Sequence, residues 1–66
     1  MKLTVNGEET QVESGMTIGM LVEQRGLDPA VIVVEYNQVI VRQEQWPGIV
    51  LSPGDCLEIV AFVGGG

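Results

Sequence analysis

The stretch Ala30-Val31-Ile32-Val33-Val34-Glu35-Tyr36 limits the fold more than any other part of the chain. Its run of β-branched residues has stiff χ1 angles, which crowd a helix but suit the pleated surface of a strand. The apolar residues do not alternate with polar ones, so the segment reads as a strand covered on both faces. A strand has to pair, and the neighbouring sequence supplies partners. Asn37-Gln38 suits a two-residue turn into Val39-Ile40-Val41, which makes a hairpin. Farther on, Ile49-Val50-Leu51 reads as a short strand, Ser52-Pro53-Gly54-Asp55 as a tight turn and Cys56-Leu57-Glu58-Ile59-Val60 as the last strand. Alternation sets Leu57, Ile59 and Ala61 on one face of it, Glu58 and Val60 on the other.

The amino-terminal part holds another hairpin. Leu3 and Val5 alternate with Lys2, Thr4 and Asn6, the period of a half-buried strand. Asn6-Gly7 turns the chain, because both residues tolerate positive φ. Residues 8–13 return, with Thr10 and Val12 on one face, and Ser14-Gly15 closes the unit. The period then changes. Thr17 is placed to cap a helix, with Met16 and Leu21 at the two ends of a hydrophobic staple. Ile18, Leu21, Val22 and Arg25 recur at helical spacing; the first three form a buried stripe, with the Arg25 stem packed at its rim and its head in water. Gly26 and Asp28-Pro29 end the helix, which is expected over residues 18–25. Gly19 inside it costs about 1 kcal/mol against alanine, so packing has to hold it. Arg42-Gln43-Glu44-Gln45-Trp46 suits a short helical turn ended by Pro47-Gly48, with Trp46 packed under the second hairpin. One amphipathic helix covers one sheet face, so the expected class is α+β, with a single main helix across a mixed sheet of four to five strands. The pattern leaves open whether the first and last strands are neighbours.

Composition removes several functions. A chain of 66 residues is one domain with no room for a deep catalytic cleft. Nine acidic residues against three basic ones (Lys2, Arg25, Arg42) give a net charge of −6. Nucleic acid is not an expected partner, since binding it takes a basic stripe. The acidic residues read as solvated faces, or as a match to a basic surface on a partner. There is no histidine, and Cys56 is the only cysteine. An intramolecular disulfide and a Cys/His zinc site are thereby excluded. The usual general base of a serine or cysteine nucleophile is missing too, so the chain is not expected to be an enzyme. No apolar run approaches the roughly 20 residues of a membrane span, and the amino end turns too soon for a secretory signal. The expected location is the cytoplasm and the expected free state a monomer. Cys56 reads as a small structural residue; Glu35, Tyr36 and Asn37 read as strand and turn residues.

The end of the sequence is Val60-Ala61-Phe62-Val63-Gly64-Gly65-Gly66. Three glycines add nothing to a core, but a backbone without side chains threads a channel that no other sequence enters. Extended, residues 63–66 carry a terminal carboxylate about 13–14 Å from the body. The expected division is a folded domain over residues 1–63 and a flexible glycine tail over 64–66.

The element order and the terminal glycines resemble the ubiquitin-like β-grasp fold, and more closely the thiamine-biosynthesis sulfur carrier family, ThiS. The matching pieces are Val5-Asn6-Gly7-Glu8, Thr17-Ile18-Gly19-Met20-Leu21, Val33-Val34-Glu35-Tyr36-Asn37, Val41-Arg42-Gln43-Glu44-Gln45-Trp46, Leu51-Ser52-Pro53-Gly54-Asp55 and the closing stretch from Glu58 to Gly66. Each is weak alone; their order, at this length, is specific. Cys56 stands where the family often has a polar residue, and Gly19-Met20 is not its usual helix-favouring pair.

The resemblance implies a sulfur carrier. An E1-like adenylating enzyme of the ThiF type, using its own ATP and magnesium, would convert the Gly66 carboxylate to an acyl-adenylate. Sulfur from a cysteine desulfurase would then displace AMP and leave a thiocarboxylate, which thiazole synthase of the ThiG type would accept. In this scheme Gly66 carries the sulfur, Gly64 and Gly65 give access, and Phe62 and Val63 anchor the chain at the channel mouth. The chain itself would bind no cofactor or metal. Phe62 has a second reading, as a cap on the edge of the core. Three rival functions stay open: a carrier of the molybdopterin type, a ubiquitin-like protein modifier, and an interaction module with an inert tail.

Overall fold

The computed structural model describes residues 1–62, so the expectations for Val63 and for the glycine tail 64–66 lie outside the described residues. The regular elements are β1 (Lys2–Val5), β2 (Glu8–Gln11), α1 (Ile18–Gln24), β3 (Ile32–Tyr36), β4 (Val39–Val41) and β5 (Cys56–Ala61). Their sheet has the order β2-β1-β5-β3-β4. Both hairpins are antiparallel, and β5 enters between them, parallel to β1 and antiparallel to β3. This is the expected ubiquitin-like β-grasp, a mixed five-stranded sheet with one main helix. The neighbourhood of first and last strands, left open by the sequence, is its centre.

Local chemistry explains the turns. Asn6 and Gly7 have φ of 52° and 79°, and Asn37 and Gln38 have 48° and 72°. Two successive positive φ values make the turn whose twist matches a hairpin. The Thr17 hydroxyl accepts the Met20 amide at 3.1 Å, as an N-cap should. Met16 and Leu21, the staple pair, are both buried. The helix ends at Gln24, one residue earlier than expected, because Arg25 takes the C-cap position and Gly26 follows with φ of 68°. Arg25 is exposed, so its stem is not packed at the rim as expected.

Ile18, Leu21 and Val22 of α1 share one core with Leu3, Val5, Val34 and Leu57 from the three central strands. Full burial of each such side chain contributes about 1.5–3 kcal/mol. Trp46 closes the same core, and its indole N–H donates to the Val41 carbonyl at 3.4 Å.

Three expectations need correcting. β3 is not covered on both faces: Ile32 and Val34 are buried, while Val33 and Glu35 are only half-buried. With α1 on one side only, the other side of the sheet stays open. The strand also starts later, because Pro29–Val31 forms a 3-10 turn capped by Asp28, whose Oδ1 accepts the Ala30 amide at 3.0 Å. Next, Ile49-Val50-Leu51 is not a strand. It makes one bridge, Val50 with Thr17, flanked by Ile18 N to Ile49 O at 3.1 Å and Leu51 N to Met16 O at 2.8 Å. Its partner segment turns into α1 there, which leaves nothing further to pair with. Finally, Pro47-Gly48 lies inside the 3-10 turn Gln43–Gly48 instead of ending it. The turn's bonds, Gln45 N to Arg42 O and Ile49 N to Trp46 O, do not call on the proline nitrogen.

Candidate functional site

β5 carries the chain out of the core. Along it Leu57 is fully buried, Ile59 half-buried and Ala61 exposed, so the strand runs out from under the helix. The Ala61 position, expected on the core face, is thus not a core position. Just past the strand, the Phe62 amide donates to the Val31 carbonyl at 2.6 Å. The Phe62 side chain is 53% exposed. It does not cap the core edge; it stands in solvent at the exit, where an aromatic ring is available to another molecule. Val63, Gly64, Gly65 and Gly66 follow, beyond the described residues.

The open side of the sheet continues from that exit. Strand alternation places Val33 and Glu35 of β3, Cys56, Glu58 and Val60 of β5, and Ile40 of β4 on this face. Val60 and Ile40 are 58% and 67% exposed, more than a core-building residue tolerates. Scattered exposed apolar residues are ordinary, but Val60 pairs directly with Val33 and lies next to the Phe62 exit.

The opposite end of β5 is fixed by a polar clasp that the sequence did not reveal. Asp55, read as turn chemistry, is 9% exposed. Its carboxylate accepts the Tyr36 hydroxyl at 2.8 Å, the Ser52 amide at 2.7 Å and the Asn37 side-chain amide at 3.2 Å. Asn37 Oδ1 in turn accepts the Cys56 amide at 2.8 Å. Burial alone would push the Asp55 carboxyl up; the Ser52, Tyr36 and Asn37 donors together outweigh it and hold the group below its ordinary value. The Tyr36 hydroxyl, bonded to that carboxylate, is pushed up. Midway along the strand, Asn6 Oδ1 accepts the Ile59 amide at 2.7 Å. One asparagine from each hairpin turn therefore grips β5. A sequence clue existed only in part: both asparagines mark the turns, but their long-range partners leave no local pattern.

Cys56 is exposed on the open face beside Thr4, its partner on β1, and is not packed as a small core residue. Trp46 is the structural residue expected. Beside it, on the helix side, a groove of about 420 Å³ is lined by Val22, Leu27, Pro29 and Trp46 among others. Among the described residues no three His, Cys, Asp or Glu side chains stand together as metal ligands, and no helix is long and apolar enough to cross a membrane.

Comparison with known proteins gives concordant findings. The family model described as the ThiS family matches residues 1–66. A thiazole synthase of Paramagnetospirillum magneticum is 42% identical over 66 residues, which is 100% of this chain but 20% of that protein. The sulfur carrier protein ThiS of Bacillus subtilis is 34% identical over 65 residues, covering 97% of this chain and 98% of its own. The crystal structure of the thiamine biosynthesis protein (ThiS) from Geobacter metallireducens superposes with a TM-score of 0.86 at 28% identity, covering 100% of both chains.

Proposed function

Because the chain belongs to the ThiS family, we propose that it carries sulfur for thiazole formation on the carboxyl group of Gly66, and that it is a carrier and not a catalyst. The observation that carries this reading is the exit of β5. The strand leaves the core at Ala61, and the ring of Phe62 stands exposed four residues before Gly66. A carboxylate is a poor electrophile. An E1-like adenylating enzyme would let a Gly66 oxygen attack the α-phosphorus of ATP, with pyrophosphate leaving. A desulfurase-derived persulfide would then attack the acyl carbon and expel AMP. A thiol would cleave the resulting acyl disulfide and leave the thiocarboxylate. The chain's part is to present the group at a fixed reach, with glycines narrow enough to enter the enzyme and Phe62 and Val63 seated at the mouth. A thiazole synthase relative that includes a segment like this whole chain supports thiazole synthase as the acceptor.

The test is the intact mass of the protein isolated from its source. Exchange of one oxygen for sulfur at Gly66 is expected. A ladder of heavier conjugates would assign a modifier instead, and an unmodified chain an interaction module. Parallel loss of a molybdopterin-dependent activity on deletion would assign the carrier to that pathway.

A further inference from the structure

Glu35 and Glu58 stand directly opposite each other in the register of β3 and β5. Asn37 N bonds Cys56 O at 2.8 Å and Phe62 N bonds Val31 O at 2.6 Å in the same ladder. Hydrogen-bonded pairs recur at every second residue, so Glu35 and Glu58 form one, with Cα atoms about 5.5 Å apart. Both carboxylates project from the open face, and like charges placed so are destabilising. The fold supplies no cation to them. The ion pair found among the described residues, Lys2 with Glu9 at 3.7 Å, lies on the β1–β2 side of the sheet. Arg25 caps the helix, and Arg42, past β4, makes no ion pair with either glutamate.

Apolar residues frame this pair. Val33 and Val60 form the next pair toward the exit, Ile40 lies opposite Glu35 on β4, and Phe62 follows Val60 on the same face. A contiguous exposed apolar surface marks an interaction site. A second copy of the chain does not suit it, because Glu35 and Glu58 would meet their own kind and the whole molecule carries a charge of −6. Four residues follow Phe62, a reach of about 13–14 Å. Whatever receives Gly66 therefore stands against the end of β5 and next to this face.

We propose that the open face docks a protein that lays an apolar patch over Val33, Ile40, Val60 and Phe62 and sets an arginine or lysine against the Glu35–Glu58 pair. The inference rests on the carrier reading, since the adenylating enzyme is the partner bound to reach the tail. A guanidinium spans two carboxylates with directed hydrogen bonds and removes a repulsion that the free protein leaves unanswered. Association of this kind weakens with salt.

The experiment titrates the purified adenylating enzyme of the same genome into the ¹⁵N-labelled 66-residue protein. Amide shifts are expected at Val33, Glu35, Ile40, Glu58 and Val60. The double variant Glu35→Gln/Glu58→Gln should bind roughly tenfold more weakly at low salt and lose most of the salt dependence. Its melting temperature should be equal or higher, which a merely structural role of the pair would not give. Unchanged affinity and salt slope in the folded double variant would overturn the proposal. So would shifts on the helix side only, no shifts at all, or shifts on this face that grow with the protein's own concentration. ATP–pyrophosphate exchange, run alongside, reports the carrier reading separately: a footprint on this face without exchange sinks that reading and leaves the docking surface standing.

Discussion

The Tyr36 hydroxyl donates to Asp55 Oδ2 at 2.8 Å and ties the end of β3 to the start of β5. The bond joins residues 19 apart in sequence and belongs to the clasp that holds the central strand in register.

The clasp should give stability a pH dependence at both extremes. Asp55 titrates below its ordinary 3.8 in the fold, so its contribution is present above that value and is lost as pH falls through the depressed one. Tyr36 titrates above its ordinary 10.0, so its contribution is present below that value and is lost as pH rises through the elevated one. Asp55→Asn should cost about 1–3 kcal/mol at neutral pH and flatten the acid limb. Tyr36→Phe should cost about 0.5–1.5 kcal/mol and remove the alkaline limb. Urea unfolding across the pH range measures both; an unchanged acid limb in Asp55→Asn would count against the clasp.

Deleting Gly66 leaves a carboxylate on Gly65, drawn back by about 3.5 Å. A 1 Å misplacement can lower a rate about a hundredfold, so ATP–pyrophosphate exchange with the adenylating enzyme should collapse. Circular dichroism should stay that of the folded protein, because the described core ends before the tail. Exchange at the original rate would move the chemistry away from a single carrier residue.

Cys56→Ser should leave sulfur transfer intact. Cys56 begins β5, and six strand steps of about 3.3 Å put it about 20 Å from Phe62. The tail's reach of about 13–14 Å stops short of it, so a chain cannot pass its own acyl group to its own cysteine. The bond to Asn37 uses the backbone amide and survives the change. A folded variant that forms no thiocarboxylate would reveal a relay that this geometry forbids within one molecule.

Gly19→Ala should stabilise the protein. A Cβ there would meet Trp46 and Pro47 atoms at 3.7 Å, ordinary contact distance, and the backbone is already helical. The gain should be about 0.5–1 kcal/mol from helix propensity, read as a higher urea midpoint. A loss would mean that the helix and the 3-10 turn already touch too closely for one methyl group.

Much of the architecture was legible because its signals are local. Asn6-Gly7, Asn37-Gln38, the Thr17 cap and the Met16–Leu21 staple each act within a few residues, and each stands where the sequence put it. Ile49-Val50-Leu51 misled because an apolar β-branched run has strand propensity whether or not a partner is free; here only Thr17 was free. The apolar run of β3 misled likewise. Val33 is apolar on the open face, which sequence alone cannot tell from a covered one. Asp55 stayed hidden since its donors Tyr36 and Asn37 are 18 to 19 residues away. At the site, the glycine run and Phe62 were readable as a presented end, whereas the Glu35–Glu58 opposition exists only once β3 and β5 are in register.

The place of β5 in the sheet sets the order in which a newborn chain becomes competent. On the ribosome the β1–β2 and β3–β4 hairpins emerge first, yet neither pairs with the other in the finished sheet. The strand that joins them is the last of the five to be translated. Such distant pairing folds late, after its loops have closed. A nascent chain interrupted before Cys56 is therefore two unjoined halves, whereas a body with an intact sheet has been read past Ala61. An enzyme that recognises the assembled face thereby passes over unfinished chains without ever inspecting the tail.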